Sequence, residues 1–153
     1  MQEQVAAPVV ASPLRRAGAF LLDVLILTVI SFPVIAAFGD TGEATKPGEI
    51  DPTVLAVGMV VTASYYVFFL STMSATPGKL VLGLYVSDRT GNRIRPDTAI
   101  LRYLIYLVGQ LLMLGMFISA VLVLTDPRRR AIHDRVAGTL VVVGRPPGWE
   151  AGA

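Results

Sequence analysis

Apolar residues gather in three long runs separated by polar, Gly- and Pro-rich stretches. The runs cover residues 17–38, 53–73 and 103–125. The first holds 22 residues, which as an α-helix is about 33 Å long, against a bilayer hydrocarbon core of roughly 30 Å. The other two are of similar length, so each is long enough to cross a membrane. Backbone groups at membrane depth must be satisfied within the segment, so runs of this kind are expected to be helical. Pro33 falls late in the first run, where it kinks the last turns unless neighbours satisfy the freed carbonyl.

The intervals carry the turns. Residues 39–52 are rich in Gly and Pro and hold four acids against one lysine, Lys46, as a solvated loop does. In residues 74–97, Thr76-Pro77-Gly78 stops the second helix and Asp88-Arg89-Thr90-Gly91-Asn92 is a turn signal. The pattern predicts a small hairpin pairing residues 82–87 with 93–95 on the membrane surface. After the third run, Asp126-Pro127 opens a basic turn or short helix through Val136. Residues 139–143 then read as a strand able to join 82–87. The expected organisation is a flexible lead over residues 1–14, one membrane domain over 15–143 and a flexible tail over 144–153.

Composition agrees with a membrane class: 54% of residues are hydrophobic and the mean hydropathy is +0.64. The absence of cysteine and the single histidine exclude a disulfide framework, a thiolate nucleophile and a zinc cluster. A cleavable leader is not expected, because the first run is too long and carries an acid.

Charge placement bears on orientation. Of 13 basic residues, all but Lys46 lie outside the 39–52 loop, which places that loop outside and the N-terminus in the cytoplasm of a multi-pass cell-membrane protein. The third run is flanked by Arg93, Arg95 and Arg102 before it and by Arg128, Arg129 and Arg130 after it. A plain third span exports the second group; a re-entrant segment breaking near Gly115 keeps both groups inside. Length favours the span and charge the re-entrant form, and both stand. The fold class expected is therefore all-α integral membrane, with two transmembrane helices, a third span or re-entrant segment, and a small cytoplasmic hairpin or strand element. The basic face suits anionic lipid headgroups.

One acid, Asp23, sits about two turns inside the first run, where an ionised carboxylate needs an answering group in the protein. Arg16 shares its helical face but lies roughly 10 Å away along the axis. Arg102, Tyr106 and Gln110 recur every four residues on one face of the third run, and this polar stripe is the better partner expected for Asp23. Gly58 and Thr62, four apart in the second run, offer a close approach to another helix.

Other chemistry is poorly supported. Gly78-Lys79 lacks the earlier glycine and following Ser or Thr of a phosphate-binding loop. His133-Asp134 has no nucleophile nearby in sequence, and a solvated or capping role is expected for the pair. The basic residues border membrane runs and form no soluble face for nucleic acid. No enzyme activity and no cofactor is expected.

Taken together, Arg16 and Asp23, then Thr76-Pro77-Gly78-Lys79 with Gly83 and Val86, then Asp126 through Arg130, His133-Asp134 and Ala137-Gly138-Thr139 resemble the RDD family of small membrane proteins across roughly residues 14–143. The family is named for one arginine and two aspartates. The resemblance implies that Arg16 and Asp23 are the first two, and leaves Asp126 and Asp134 as alternatives for the third. It also implies a link with transport. The charge-pair or ion-site candidates are thus Arg16, Asp23, Arg102, Asp126 and Asp134. Two functions fit them: transport of an ion or small solute, or a non-transporting membrane scaffold or assembly partner in which the same residues tie helices together. Too few helices are present to enclose a solvated path, so a homo-oligomer or a partner membrane protein is expected.

Overall fold

The computed structural model describes residues 9–38, 51–112 and 114–148. The element order is α1 (Pro13–Phe38), α2 (Pro52–Met73), α3 (Pro77–Val81), β1 (Leu84–Ser87), α4 (Pro96–Leu111), α5 (Leu114–Thr125), α6 (Ile132–Val136) and β2 (Leu140–Val143). The loop expected over 39–52 lies almost wholly outside the described residues, as do positions 1–8 of the lead and 149–153 of the tail.

Local chemistry sets the helix ends. Ser12 Oγ accepts from the Arg15 N–H at 3.3 Å beside the start of α1. Pro52 is the first residue of α2, and the Asp51 carboxylate accepts from the Thr53 N–H at 2.6 Å. Ser74 ends α2 in the left-handed region, its N–H donating to the Leu70 carbonyl. The chain then turns into α3, whose tight packing on α1 is possible because residue 78 is glycine. A Cβ there would overlap the Ala19 carbonyl oxygen and lie 2.7 Å from Asp23 Oδ1.

Helices α1 and α2 are long and apolar enough to span a membrane, and only 11% of the most apolar window of each is buried. Leu21, Leu25, Val29, Phe32, Val60 and Phe68 are all exposed. Helices with this much outward apolar surface are solvated by lipid and are not the core of a soluble protein.

The third apolar run is divided. It stops as α4 after Leu111 and resumes as α5 at Leu114, and the two helices pack against each other and against α6. The crossing is close: a Cβ on Gly115 would overlap the Gly109 backbone. The break falls three residues before Gly115, and neither half alone is as long as a bilayer is thick.

The buried core lies at the end of the helices where the chain is basic, not along their lipid-facing length. Tyr65, Tyr66, Leu70, Ala99 and Tyr103 pack there with Leu84, Val86 and Val141. The strand element differs from the expected hairpin. β1 pairs antiparallel with β2, Leu84 opposite Val143 through Ser87 opposite Leu140, and residue 93 makes only an isolated bridge to Ser87. The turn at 88–92 is held by Asp88, whose carboxylate accepts from the backbone N–H groups of Thr90 and Asn92. The ladder partner of β1 instead lies 53 or more residues later. Residues 9–11 line the other side of β2, with Ala11 N–H donating to the Val141 carbonyl at 2.9 Å and Val143 N–H to that of Val9 at 2.8 Å. The last part of the expected flexible lead is therefore ordered.

Candidate functional site

Two buried carboxylates organise the basic end of the helices. Asp23 is fully buried and accepts from Tyr65 Oη at 2.8 Å, Thr76 Oγ1 at 2.5 Å and the Gly78 N–H at 2.8 Å. Lys79 Nζ stands 3.8 Å from its Oδ2 and donates to Thr76 Oγ1 at 3.1 Å. Helix α1 supplies the acid, α2 the tyrosine, and the docking of Gly78 brings the other three groups.

Asp134, in α6, is also fully buried. It is ion-paired to Arg16 of α1 and to Arg102 of α4, the latter at 2.6 Å, and accepts from the Ala131 N–H at 3.0 Å. His133 Nε2 lies 3.6 Å from Oδ1. Arg16 also donates to the carbonyl of Arg129, which takes a left-handed φ of 50°, and Arg102 donates to Thr139 Oγ1. Asp134 thus ties α1, α4 and α6 together just ahead of β2. Burial pushes the Asp134 carboxyl up, but the charges of Arg102, His133 and Arg16 outweigh it and hold the group below the usual carboxylate range. Burial pushes His133 down to about 3, reinforced by Arg102, Arg16 and Lys79 and opposed by Asp134, so the ring is neutral at pH 7. Lys79 is pushed down to about 8 by burial, with Asp23 acting against that shift.

The pairings differ from those read from the sequence. Arg16 and Arg102 both meet Asp134 and not Asp23; Asp23 takes Lys79 instead. The reason is steric, since the side-chain-free Gly78 allows α3 to lie directly over the Ala19–Asp23 turn. The polar stripe on α4 is divided: Arg102 is buried, Tyr106 packs against Tyr66, Tyr103 and the edge of His133, and Gln110 is exposed. Asp134 does cap α6, as expected, but it is not solvated. Asp126 stands apart, paired with Arg130 at 2.8 Å and Arg135 at 3.4 Å. The hydrogen bond from Arg130 lowers its carboxyl to about 2.

The sequence reading did not identify Lys79, Thr76, Gly78, Tyr65 or Thr139 as site residues. The run Thr76-Pro77-Gly78-Lys79 was the available signal, with its helix-starting proline, a residue of no side-chain bulk and a cation in succession.

A cavity adjoins Asp23, and a second opens beside it. The first, of about 380 Å³, is bordered by Arg16, Phe20, Asp23, Lys79, Ser119 and His133 among others. The second, of about 530 Å³, is mainly apolar, runs between α4 and α5, and shares Phe20, Tyr106, Ser119 and His133 with the first. Among the described residues no group of His, Asp or Glu side chains is placed to hold a metal ion.

The family model described as RDD family matches residues 10–138. No curated protein and no solved structure matches the chain.

Proposed function

The chain belongs to the RDD family, and from that premise we propose that it takes part in moving an ion or small solute across the membrane, with Asp23 as the site carboxylate and Lys79 as its countercharge. The observation that carries this reading is their position. Both border the 380 Å³ cavity beside α1, 3.8 Å apart, and the lysine is held to about 8, so it can give up or take a proton near physiological pH. On this reading the protein is multi-pass with its N-terminus and basic end in the cytoplasm, and α4–α5 is a re-entrant hairpin whose two arginine-bearing ends stay on that side. A second copy or a partner membrane protein completes the path, since α1, α2 and one hairpin cannot enclose it.

The test is flux into vesicles containing the purified protein, read with a lumenal pH dye. Asp23→Asn keeps the size and most hydrogen bonds but removes the charge, and is expected to abolish flux. A folded Asp23→Asn protein with unchanged flux would end the transport role of this residue.

The scaffold reading rests on Asp134. Enclosed by two arginines and a backbone N–H, it is used up as an interhelical lock. In that case the protein is expected to survive Asp23→Asn, which keeps size and hydrogen bonding, with no flux to lose.

A further inference from the structure

Adjoining the 380 Å³ cavity is a smaller chamber of about 40 Å³, bordered by Tyr66, Lys79, Arg102, Tyr103, Tyr106 and His133, with Leu70. It shares Tyr66, Lys79, Tyr106 and His133 with the larger cavity, which gives it an approach. Every polar group in that wall can donate a hydrogen bond and none is a carboxylate. Arg102 is only 4% exposed, yet among the described residues no group accepts from its Nε–H. Its two terminal nitrogens are taken by Thr139 and Asp134. A buried guanidinium N–H left without an acceptor is costly.

The surrounding charge has the same sign. Arg16, Lys79 and Arg102 face Asp23 and Asp134, three cations against two carboxylates. Neither carboxylate borders the chamber, whereas Lys79 and Arg102 both do.

We propose that this chamber is a binding site for a small inorganic anion of halide size, held by Lys79, the Arg102 Nε–H and the tyrosine hydroxyls. Roughly 10–15 Å³ is enough for one water, so 40 Å³ accommodates one such ion. The anion would balance the surplus positive charge and fill the open donor of Arg102. The site does not depend on the transport reading, because a static anion gives binding without flux.

The experiment is ³⁵Cl NMR line broadening on the whole protein in zwitterionic nanodiscs, titrating chloride into gluconate at constant ionic strength. The expected result is a saturable broadening in the wild type, competed by bromide and lost in Lys79→Met. Tyr103→Phe leaves every ion pair in place and is expected to weaken the binding several-fold, which keeps the test decisive if Lys79→Met does not fold. Broadening that is linear in chloride, or that bromide does not compete, overturns the proposal and leaves water as the occupant. So does saturable binding that survives both substitutions undiminished.

Discussion

Arg16 in α1 and Asp134 in α6 are ion-paired across 118 positions of sequence. The pair joins the first membrane helix to the last short one, and Arg102 of α4 meets the same carboxylate. Removing the acid leaves two arginines facing each other with no counterion. Asp134→Asn is therefore expected to cost about 3–5 kcal/mol, the scale for breaking a buried pair from one side, seen as a large drop in the thermal unfolding midpoint in detergent. Asp126 is buried too, but its partners Arg130 and Arg135 keep contact with solvent, so Asp126→Asn should shift it less. Equal effects of the two changes would contradict the central place given to Asp134.

His133 gives the protein an acid-side sensitivity. Its folded pKa, about 3, lies below the unfolded value near 6.5, so between these limits the unfolded chain binds more protons and stability falls as pH falls. The groups facing the ring are Asp134, Arg102, Arg16, Lys79 and the Tyr106 ring. The unfolding midpoint is expected to decline from pH 6.5 toward pH 4, and His133→Gln to flatten that slope. A slope unchanged by the substitution would place its origin elsewhere.

How far these features could be read from the chain depends on their range. The spans α1 and α2 and the burial of Asp23 follow from hydropathy, which is a local property. The choice between span and re-entrant segment for residues 103–125 does not, because hydropathy reports length and apolarity while the break at Leu111–Leu114 and the Gly109–Gly115 crossing are matters of packing. Spacing along α1 made Arg16 the visible neighbour of Asp23. The actual partner, Lys79, lies 56 residues on, brought there by the space that Gly78 leaves. Tyr65 likewise looks like one aromatic of an interface belt until the fold turns its hydroxyl onto Asp23.

Gly78 is accordingly a position where one methyl group matters. In Gly78→Ala the Cβ would overlap backbone at Ala19, which cannot rotate away, and crowd the Asp23 carboxylate, which can turn aside only by giving up its hydrogen bonds. Forcing α3 off α1 is expected to cost roughly 1–3 kcal/mol and to separate Lys79 from Asp23. Thermal unfolding gives the first effect, and loss of flux or of anion binding the second. Gly58→Ala is the control, since a Cβ there meets nothing within 4 Å; if it destabilises as much as Gly78→Ala, the steric account fails.

The hairpin formed by α4 and α5 makes a prediction about sides. Arg102 near the start of α4 and the Asp126–Arg130 turn after α5 both lie beside α6, the first through Asp134 and the second through Arg135. If α4 and α5 enter and leave the membrane by the same face, a cysteine at Arg129 and one at Arg89, next to β1, must react with an impermeant maleimide from the same side. Twelve of the 13 basic residues lie outside the 39–52 loop, so by the positive-inside bias that side is expected to be the cytoplasm. The expected pattern in intact cells is labelling of a cysteine at Gly42 without permeabilisation, and of those at Arg89 and Arg129 only after it. Labelling of the Arg129 position from outside would mean that residues 103–125 cross the membrane once. The export of three consecutive arginines would then need a partner on the far side, and the shared ties to α6 would have to be broken in the bilayer.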